Sequence, residues 1–301
     1  MKQKIFLSLR DRLKTQKPIL SDGGSGTYLQ THGLEPGSSP EELNLNNPDL
    51  IKKMSKDYFD NGSEMVLTNT FGGNPYMLKK YGLKDKLRQI NQSAAKFSRS
   101  VAPKGNFVIG CIGPTGEFLE PLGPITKSEM KKGFIEQMQA LEAGGADAIL
   151  IETMTAIEET QLAIESAKEN TNLVVMATMT FDLGPKGFFT MMGITPETAV
   201  TELRKSGADV VGSNCGNGID NMIEIAKKMR EIDDGYMLIH SNAGIPKIIN
   251  GRIVYSETPE YMAEKFKDLL DLKINIIGGC CGTTPKHIKA IFNMIYNDQS
   301  D

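Results

Sequence analysis

The chain has 301 residues, enough to bury the core of one barrel-type domain or of two ordinary ones. Its 34 basic and 37 acidic residues give a net charge of -3 without a long run of either sign, which argues against a nucleic-acid or membrane-surface role. The amino terminus lacks the apolar segment of a signal peptide and no 18-residue apolar span occurs, so we expect a cytoplasmic protein with reduced thiols.

Short apolar runs, rich in β-branched residues, recur along the chain, and each ends in small or polar residues. There are eight such runs, at 18–24, 64–71, 106–113, 148–154, 173–181, 209–215, 236–244 and 274–282. Because they lack polar alternation, we expect parallel strands that are covered on both faces.

Helix-length amphipathic segments lie between these runs. In the first, Asn47 is the expected N-cap and Pro48 the first helical residue, and Gly62 ends the helix. Three later segments open with the same kind of signal, a Thr-Pro pair, at 195–196, 258–259 and 284–285.

Strand and helix alternate eight times, which predicts an α/β fold of the (β/α)8 TIM-barrel type. Similar segments at strands two, four and six ("NGSEMVLTNT", "GGADAILIET", "SGADVVGSNC"), with a looser copy at strand eight ("DLKINIIGGCC"), indicate a quarter-barrel repeat. The alternative, a doubly wound open sheet, would more naturally carry G-x-G-x-x-G after the first strand, and "DGGSGT" lacks that spacing. We therefore expect one barrel domain over 1–301, with its core at about 15–295 and an ordered loop at 182–194.

Active sites of such barrels lie at the carboxyl ends of the strands. Residues with polar or thiol side chains fall there, namely Asp22, Asn69, Thr70, Cys111, Glu152, Asn214, Cys215, Asn242, Cys280 and Cys281. Strands six and eight are separated by one strand around the ring, so Cys215 can meet the Cys280–Cys281 pair above the barrel.

Three thiolates suit zinc, a borderline-soft ion that proteins usually hold tetrahedrally. The glycines around "GGCCGTTPKH" (278–287) permit the irregular backbone that two adjacent ligands require. A disulfide is disfavoured, because the compartment is reducing and a vicinal disulfide is strained. Cys111 has no evident partner in the sequence and is expected to pack as a small hydrophobe.

Three protein ligands leave a fourth position open, which is the pattern of catalytic rather than structural zinc. With three thiolates the ion is a poor Lewis acid for water, which disfavours hydrolysis. A substrate thiol bound there would instead be ionised at neutral pH and could attack an activated methyl group.

Eight segments, in order, resemble those of the homocysteine S-methyltransferase family: "DGGSGT", "NTFGGN", "GCIGPTGEFLEPLG", "IETM", "MTFD", "GSNC", "NAGIP" and "GGCCGTTPKHI". The likeness is greatest to the homocysteine-binding module of cobalamin-dependent methionine synthase. It implies zinc on Cys215, Cys280 and Cys281, with the thiol of homocysteine in the fourth position and methionine as the product.

The resemblance also implies substrate contacts. Asp22, in the segment that continues with Gly23, and Glu152 match positions that handle the substrate amino group. Asn214 and Asn242 are expected to orient the loops or the substrate carboxylate. Asn69 and Thr70 are further candidates, and His240 is expected to pack or hydrogen-bond near the mouth.

The methyl donor stays open. No D-x-H-x-x-G corrinoid motif occurs in the sequence, so a methylcobalamin donor would arrive on a separate protein that docks at the barrel mouth. A sulfonium or betaine-type donor would need no partner, and a corrinoid-linked enzyme could act on another donor or thiol. A non-catalytic zinc-binding barrel subunit is the alternative outside enzymes, and a homo-oligomer is compatible with the sequence.

Overall fold

The computed structural model of the protein describes residues 6–249 and 252–297. In that part of the chain, eight parallel strands form one sheet. In chain order they are β1 (Ile19–Leu20), β2 (Met65–Leu67), β3 (Phe107–Ile112), β4 (Ala148–Met154), β5 (Val174–Met179), β6 (Val210–Asn214), β7 (Met237–Ser241) and β8 (Ile276–Gly279). Each falls inside one of the eight predicted runs.

The sheet is nearly closed into a barrel. Each strand from β2 to β7 pairs with the strand that follows it in the chain, and β8 pairs with β1. At the remaining seam, the Glu64 amide donates to the Leu20 carbonyl over 2.7 Å, and the Leu67 amide donates to Asp22 Oδ2 over 2.8 Å. The predicted (β/α)8 TIM barrel is confirmed.

The helices lie between the strands as predicted. Those described are α1 (Leu9–Leu13), α2 (Ser25–Thr31), α3 (Leu43–Asn46), α4 (Pro48–Asp60), α5 (Pro75–Lys80), α6 (Leu87–Val101), α7 (Lys127–Ala143), α8 (Ile157–Asn170), α9 (Pro196–Lys205), α10 (Ile219–Arg230), α11 (Pro259–Asp271) and α12 (Pro285–Asn297), with short 3-10 turns at Pro40–Glu42 and Lys84–Lys86. None of the described helices has the length and hydrophobicity needed to cross a membrane.

The predicted helix signals act through their side chains. Asn47 caps α4 by accepting from the Leu50 amide, and Gly62, with a φ of 109°, follows the helix. Thr195 and Thr258 accept from backbone amides in the first turns of α9 and α11, each with proline as the first helical residue. Satisfying an otherwise unpaired amide explains why these local signals predict the helix starts well.

Two cores hold the barrel. Inward-facing residues such as Ile19, Met65 and Leu238 form an inner cluster, which Leu9 and Leu13 of α1 join. The outward-facing strand residues and the apolar helix faces form the larger cluster. Because the inner cluster is apolar, polar inward residues are confined to the carboxyl ends of the strands.

Two connections at the mouth form antiparallel hairpins. The expected ordered loop at 182–194 contains one, with strands Asp182–Gly184 and Gly187–Phe189. The second, with strands Lys247–Ile249 and Arg252–Val254, was not predicted, although the Asn-Gly pair at 250–251 in the sequence is a hairpin signal. The predicted domain of 1–301 includes 1–5, 250–251 and 298–301, which lie outside the described residues, so its bounds stay a prediction.

A glycine inside the barrel offers a test of the fold. A Cβ on Gly212 of β6 would lie 1.8 Å from the Leu238 carbonyl oxygen of β7, and backbone cannot yield as a flexible side chain can. We expect Gly212→Ala to lower the free energy of unfolding by about 3 kcal/mol, measured by denaturant unfolding.

The matched control is Gly26→Ala in α2, where a Cβ would meet no atom within 4 Å. That change should be neutral or stabilise by up to about 1 kcal/mol, because alanine favours helix. Equal stability of the two variants would contradict the packing that we describe.

Candidate active site

Three thiols gather at the carboxyl-terminal mouth of the barrel. The sulfur atoms of Cys215, Cys280 and Cys281 all lie within 4.8 Å of one another, and those of Cys215 and Cys281 are 3.9 Å apart. All three residues are half-buried, and none is in a disulfide. We call these three residues the thiol cluster.

Strand β7 sets the position of the cluster. The Cys215 amide donates to the His240 carbonyl over 3.0 Å, and the Cys280 amide donates to the Ser241 carbonyl over 2.7 Å. The Cys281 carbonyl accepts from the Ala243 amide over 3.0 Å. One strand and the residues just after it therefore bond both halves of the cluster.

The backbone at the cluster requires glycine. Cys215 has a φ of 60° and is followed by Gly216 at 73°, so the chain reverses within two residues after β6. On the opposite side, a Cβ on Gly24 would lie 2.6 Å from the Cys280 carbonyl oxygen, and one on Gly23 would lie 2.4 Å from that of Thr283. The Asp-Gly-Gly segment at 22–24 is thus packed directly against the turn at 280–283, which carries Cys280 and Cys281.

The thiols do not ionise alike. Hydrogen bonds from Cys280 and Cys281 lower the pKa of Cys215, so it ionises first. The same bonds to Cys215 raise the pKa of Cys280 and of Cys281. A second and third thiolate need a cation nearby, and a divalent metal would supply the charge and displace the shared protons.

Asn242 adds an unsatisfied oxygen beside the cluster. Its side chain is buried and hydrogen-bonds to Cys215, which helps to lower the pKa of that thiol. Its Oδ1 has no hydrogen-bond partner among the described residues. Buried polar atoms are rarely left unpaired, so the three thiols fit a metal ion, and this oxygen is left to accept a hydrogen bond from a ligand bound beside them.

Two buried carboxyl groups belong to the same mouth. Burial raises the pKa of Asp22 to about 8 and that of Glu152 to about 7. Neither forms an ion pair in the described part of the chain, and each accepts only neutral donors there, such as the Leu67 amide and the Cys111 thiol. A cationic ligand is therefore the group that would stabilise their charged forms.

Asn214 organises the end of β4. Its side-chain nitrogen, Nδ2, donates to Glu152 Oε2 over 3.2 Å and to Thr153 Oγ1 over 2.8 Å. Its side-chain oxygen, Oδ1, accepts from the Thr153 backbone amide and from Thr178 Oγ1. Thr153 has a φ of 60° at a β-bulge, a strained geometry for a β-branched residue. This geometry favours the loop-orienting role for Asn214, because its hydrogen-bonding positions are used by protein.

Asn69 and Thr70 lie at the mouth with their side chains engaged by neighbouring loops. Asn69 Nδ2 donates to the Pro40 carbonyl and to Asn44, and Thr70 Oγ1 donates to the Cys111 carbonyl. These hydrogen bonds hold the neighbouring loops at the mouth, a structural role that does not depend on contact with substrate.

Two features, the partner of Cys111 and the approach of Tyr255, were not foreseen from the sequence. Cys111 has a partner, since its sulfur donates to Glu152 Oε1 over 2.9 Å. Tyr255, after the second hairpin, hydrogen-bonds to Cys281 and lies so close to Gly282 that a Cβ there would meet its ring at 2.2 Å. His240 packs near the mouth, as expected, and burial there lowers its pKa to about 3, while its Nε2 has no partner among the described residues.

The fold and this site define a class: a (β/α)8-barrel enzyme whose mouth combines a metal-ready thiol cluster with buried carboxyls. A family model described as homocysteine S-methyltransferase matches residues 19–295. The chain belongs to the homocysteine S-methyltransferase family, which confirms the resemblance found in the sequence.

Individual relatives agree with this assignment. Methionine synthase of Mycobacterium tuberculosis (strain ATCC 25618 / H37Rv) is 28% identical over 303 residues, and the match covers 94% of this chain but 25% of that protein. The chain thus spans about a quarter of the length of this relative.

Solved structures share the fold. The metallated form of the homocysteine methyltransferase MmuM from Escherichia coli has a TM-score of 0.77 at 20% identity, covering 95% of this chain and 99% of that one. Its oxidized form has the same TM-score and identity and covers 94% and 97%. Pyruvate carboxylase from Rhizobium etli matches at a TM-score of 0.53 and 13% identity, covering 95% of this chain and 28% of that one, a likeness of barrel fold alone.

The buried Asp22 predicts how stability depends on pH. Its pKa is about 8 in the folded chain, against about 3.9 when unfolded, so folding favours the protonated form. The free energy of unfolding of the metal-free protein should fall as the pH rises from about 4 to about 8, by at most about 1.4 kcal/mol per pH unit from this group. Asp22→Asn should flatten this dependence and raise stability at the upper end, measured by denaturant unfolding.

Asp49→Asn is the control, because it removes an exposed carboxyl group in the first turn of α4 and should leave the slope unchanged. A slope in Asp22→Asn equal to that of the wild type would refute the assignment of the effect to Asp22.

Proposed function

We propose that the protein transfers a methyl group to the thiol of homocysteine, with zinc held by Cys215, Cys280 and Cys281, and that the product is methionine. The observation that carries the proposal is the thiol cluster at the barrel mouth, with two unpaired buried carboxyls beside it. Membership of the homocysteine S-methyltransferase family supports the choice of acceptor.

The three cysteines fit zinc by donor type and number. Thiolate sulfur is a preferred zinc ligand, and three protein ligands are the usual number where a position is kept for substrate. Bound zinc would lower the pKa of a substrate thiol so that the thiolate exists at neutral pH. The cysteines, as three negative charges, would keep that thiolate electron-rich and suited to attack on a methyl group.

The carboxyl groups suit the other end of the acceptor. Homocysteine carries an ammonium group a few bonds from its thiol, and Asp22 and Glu152 lack a cationic partner among the described residues. Asn214 Nδ2 lies 3.2 Å from Glu152 Oε2 and 3.9 Å from the Cys280 sulfur, so one amide separates the carboxyl from the cluster. We assign Asp22 and Glu152 to binding the amino group of the acceptor. Gly23 allows the Asp22 segment to pack closely against Thr283, and Asn242 lies beside the thiol cluster, where it hydrogen-bonds to Cys215.

For the methyl donor we propose a methylcorrinoid carried by a separate protein region. The methionine synthase relative contains about three times as much additional chain as the part matched here, which leaves room for a donor-carrying module. Large apolar side chains are also exposed on loops around the mouth, a surface suited to contact with protein. They are Phe118, Leu122, Leu183, Met191, Met192, Ile245 and Ile248.

Cys215→Ala tests the metal site. Removing one of three thiolates should abolish zinc binding and methyl transfer, while the barrel stays folded because Cys215 contributes little to the apolar cores. The measurements are zinc per chain by atomic absorption and folding by circular dichroism.

Cys111→Ala is the matched control, since it removes a cysteine outside the cluster and should retain one zinc per chain. Full zinc in Cys215→Ala would remove Cys215 from the proposed ligand set.

Parallel donor assays test the direction and source of the methyl group. Zinc-loaded protein and homocysteine are incubated with free methylcobalamin, S-methylmethionine or betaine, and methionine is quantified by mass spectrometry. We expect methionine with methylcobalamin alone, at a low rate because the donor lacks its carrier. Methionine from S-methylmethionine or betaine would refute the corrinoid part of the proposal and keep the acceptor.

A further inference from the structure

Cys111 makes one contact that packing alone does not require. Its side chain is 3% exposed at the end of β3, and its sulfur lies 2.9 Å from Glu152 Oε1 at the end of β4. Burial raises the pKa of the Cys111 thiol, so the thiol is neutral and its S–H is the donor to the carboxyl oxygen. A small apolar residue would fill this space without making that bond.

The end of β2 holds Cys111 in place. Its amide donates to Thr68 Oγ1 over 3.0 Å, and its carbonyl accepts from Thr70 Oγ1 over 2.7 Å. The two threonine hydroxyls hydrogen-bond to each other over 2.6 Å. The backbone N–H and C=O of Cys111 are therefore held independently of the hydrogen bond that its side chain makes to Glu152.

Glu152 is held at both oxygen atoms. Oε1 accepts from Cys111, and Oε2 accepts from Asn214. A free glutamate side chain has three rotatable bonds, and ordering it on ligand binding would lower the affinity. Each carboxyl oxygen can accept more than one hydrogen bond, so the held carboxyl keeps capacity for a ligand.

We infer that Cys111 is a positioning residue, which orients the carboxyl group of Glu152 toward the amino group of the acceptor. The inference rests on the proposed function, in which Glu152 contacts that amino group. A thiol suits this task, because S–H is a weak donor that orients the carboxyl without compensating its charge. The amino group then remains the stronger partner.

The test compares two ligands on zinc-loaded protein by titration calorimetry. Homocysteine carries thiol, carboxylate and amino group, whereas 4-mercaptobutanoate has the same thiol and carboxylate and lacks the amino group. In Cys111→Ala we expect homocysteine affinity to fall about tenfold, the effect of losing one hydrogen bond to a charged group, and that of 4-mercaptobutanoate to stay unchanged.

Two further variants separate hydrogen bonding from packing. Cys111→Val fills the space without a donor and should behave like Cys111→Ala, whereas Cys111→Ser keeps a donor and should recover most of the homocysteine affinity. In a Glu152→Gln background, Cys111→Ala should no longer weaken homocysteine, because the two residues act through one contact. Zinc content and thermal unfolding are measured for each variant, so that loss of metal or fold is recognised.

Equal weakening of both ligands in Cys111→Ala, or recovery by Val and not by Ser, would overturn the inference in favour of a packing role. Unchanged homocysteine affinity in Cys111→Ala would overturn it as well. If the wild type binds the two ligands equally, the assignment of Glu152 to the amino group fails, and the inference fails with it. If the wild type binds neither ligand, the proposed acceptor itself is wrong.

Discussion

The site depends on the two hydrogen bonds by which β7 holds its neighbours. His240 and Ser241 are consecutive, and their carbonyl groups accept from the amides of Cys215 and Cys280, which are 65 residues apart in the sequence. The two strands that flank β7, namely β6 and β8, are thereby held in register, so that both cysteines lie at the carboxyl-terminal mouth of the barrel. Loss of either bond would loosen one of the two strand ends that bring the sulfur atoms together.

The same site is costly to the fold. Asp22 and Glu152 are buried without a described cation, and Thr153 and Cys215 adopt left-handed backbone conformations. Each feature opposes folding by an amount of the order of 1 kcal/mol or more. The apolar clusters inside and outside the sheet offset these losses, and below the mouth the inner cluster is apolar. The strained Thr153 and Cys215 and the two buried carboxyls thus lie at the carboxyl ends of the strands, where a metal and a cationic substrate group would stabilise them under the proposed function.

Much of the fold could be predicted from the sequence because its signals are local. Buried parallel strands appear as continuous apolar runs, and Asn47 or a Thr-Pro pair marks a helix start whatever the rest of the chain does. The partner of Cys111 could not be recognised this way, because Glu152 meets it through strand register: Cys111 pairs with Leu150, and Glu152 is the next inward residue on β4. The partners of Asn214 could not be named from the sequence either, although a loop-orienting role was one of the two expected, since those partners come from two other strands. Tyr255 reaches the cluster from a hairpin that the sequence analysis missed although its Asn-Gly signal was present.

The amide of Asn214 joins the two halves of the site. It contacts the carboxyl of Glu152 and lies near the Cys280 sulfur, so the carboxyl and the thiol cluster are positioned by the same side chain. Thr178 and the Thr153 amide fix that side chain in turn, and Cys111 fixes the far oxygen of Glu152. The separation between carboxyl and cluster therefore cannot adjust to the ligand without breaking several buried hydrogen bonds. Under the proposed function, a thiol amino acid one methylene shorter than homocysteine would reach one half of the site or the other, so the length of the acceptor is selected by the hydrogen bonds that fix Glu152 relative to the thiol cluster.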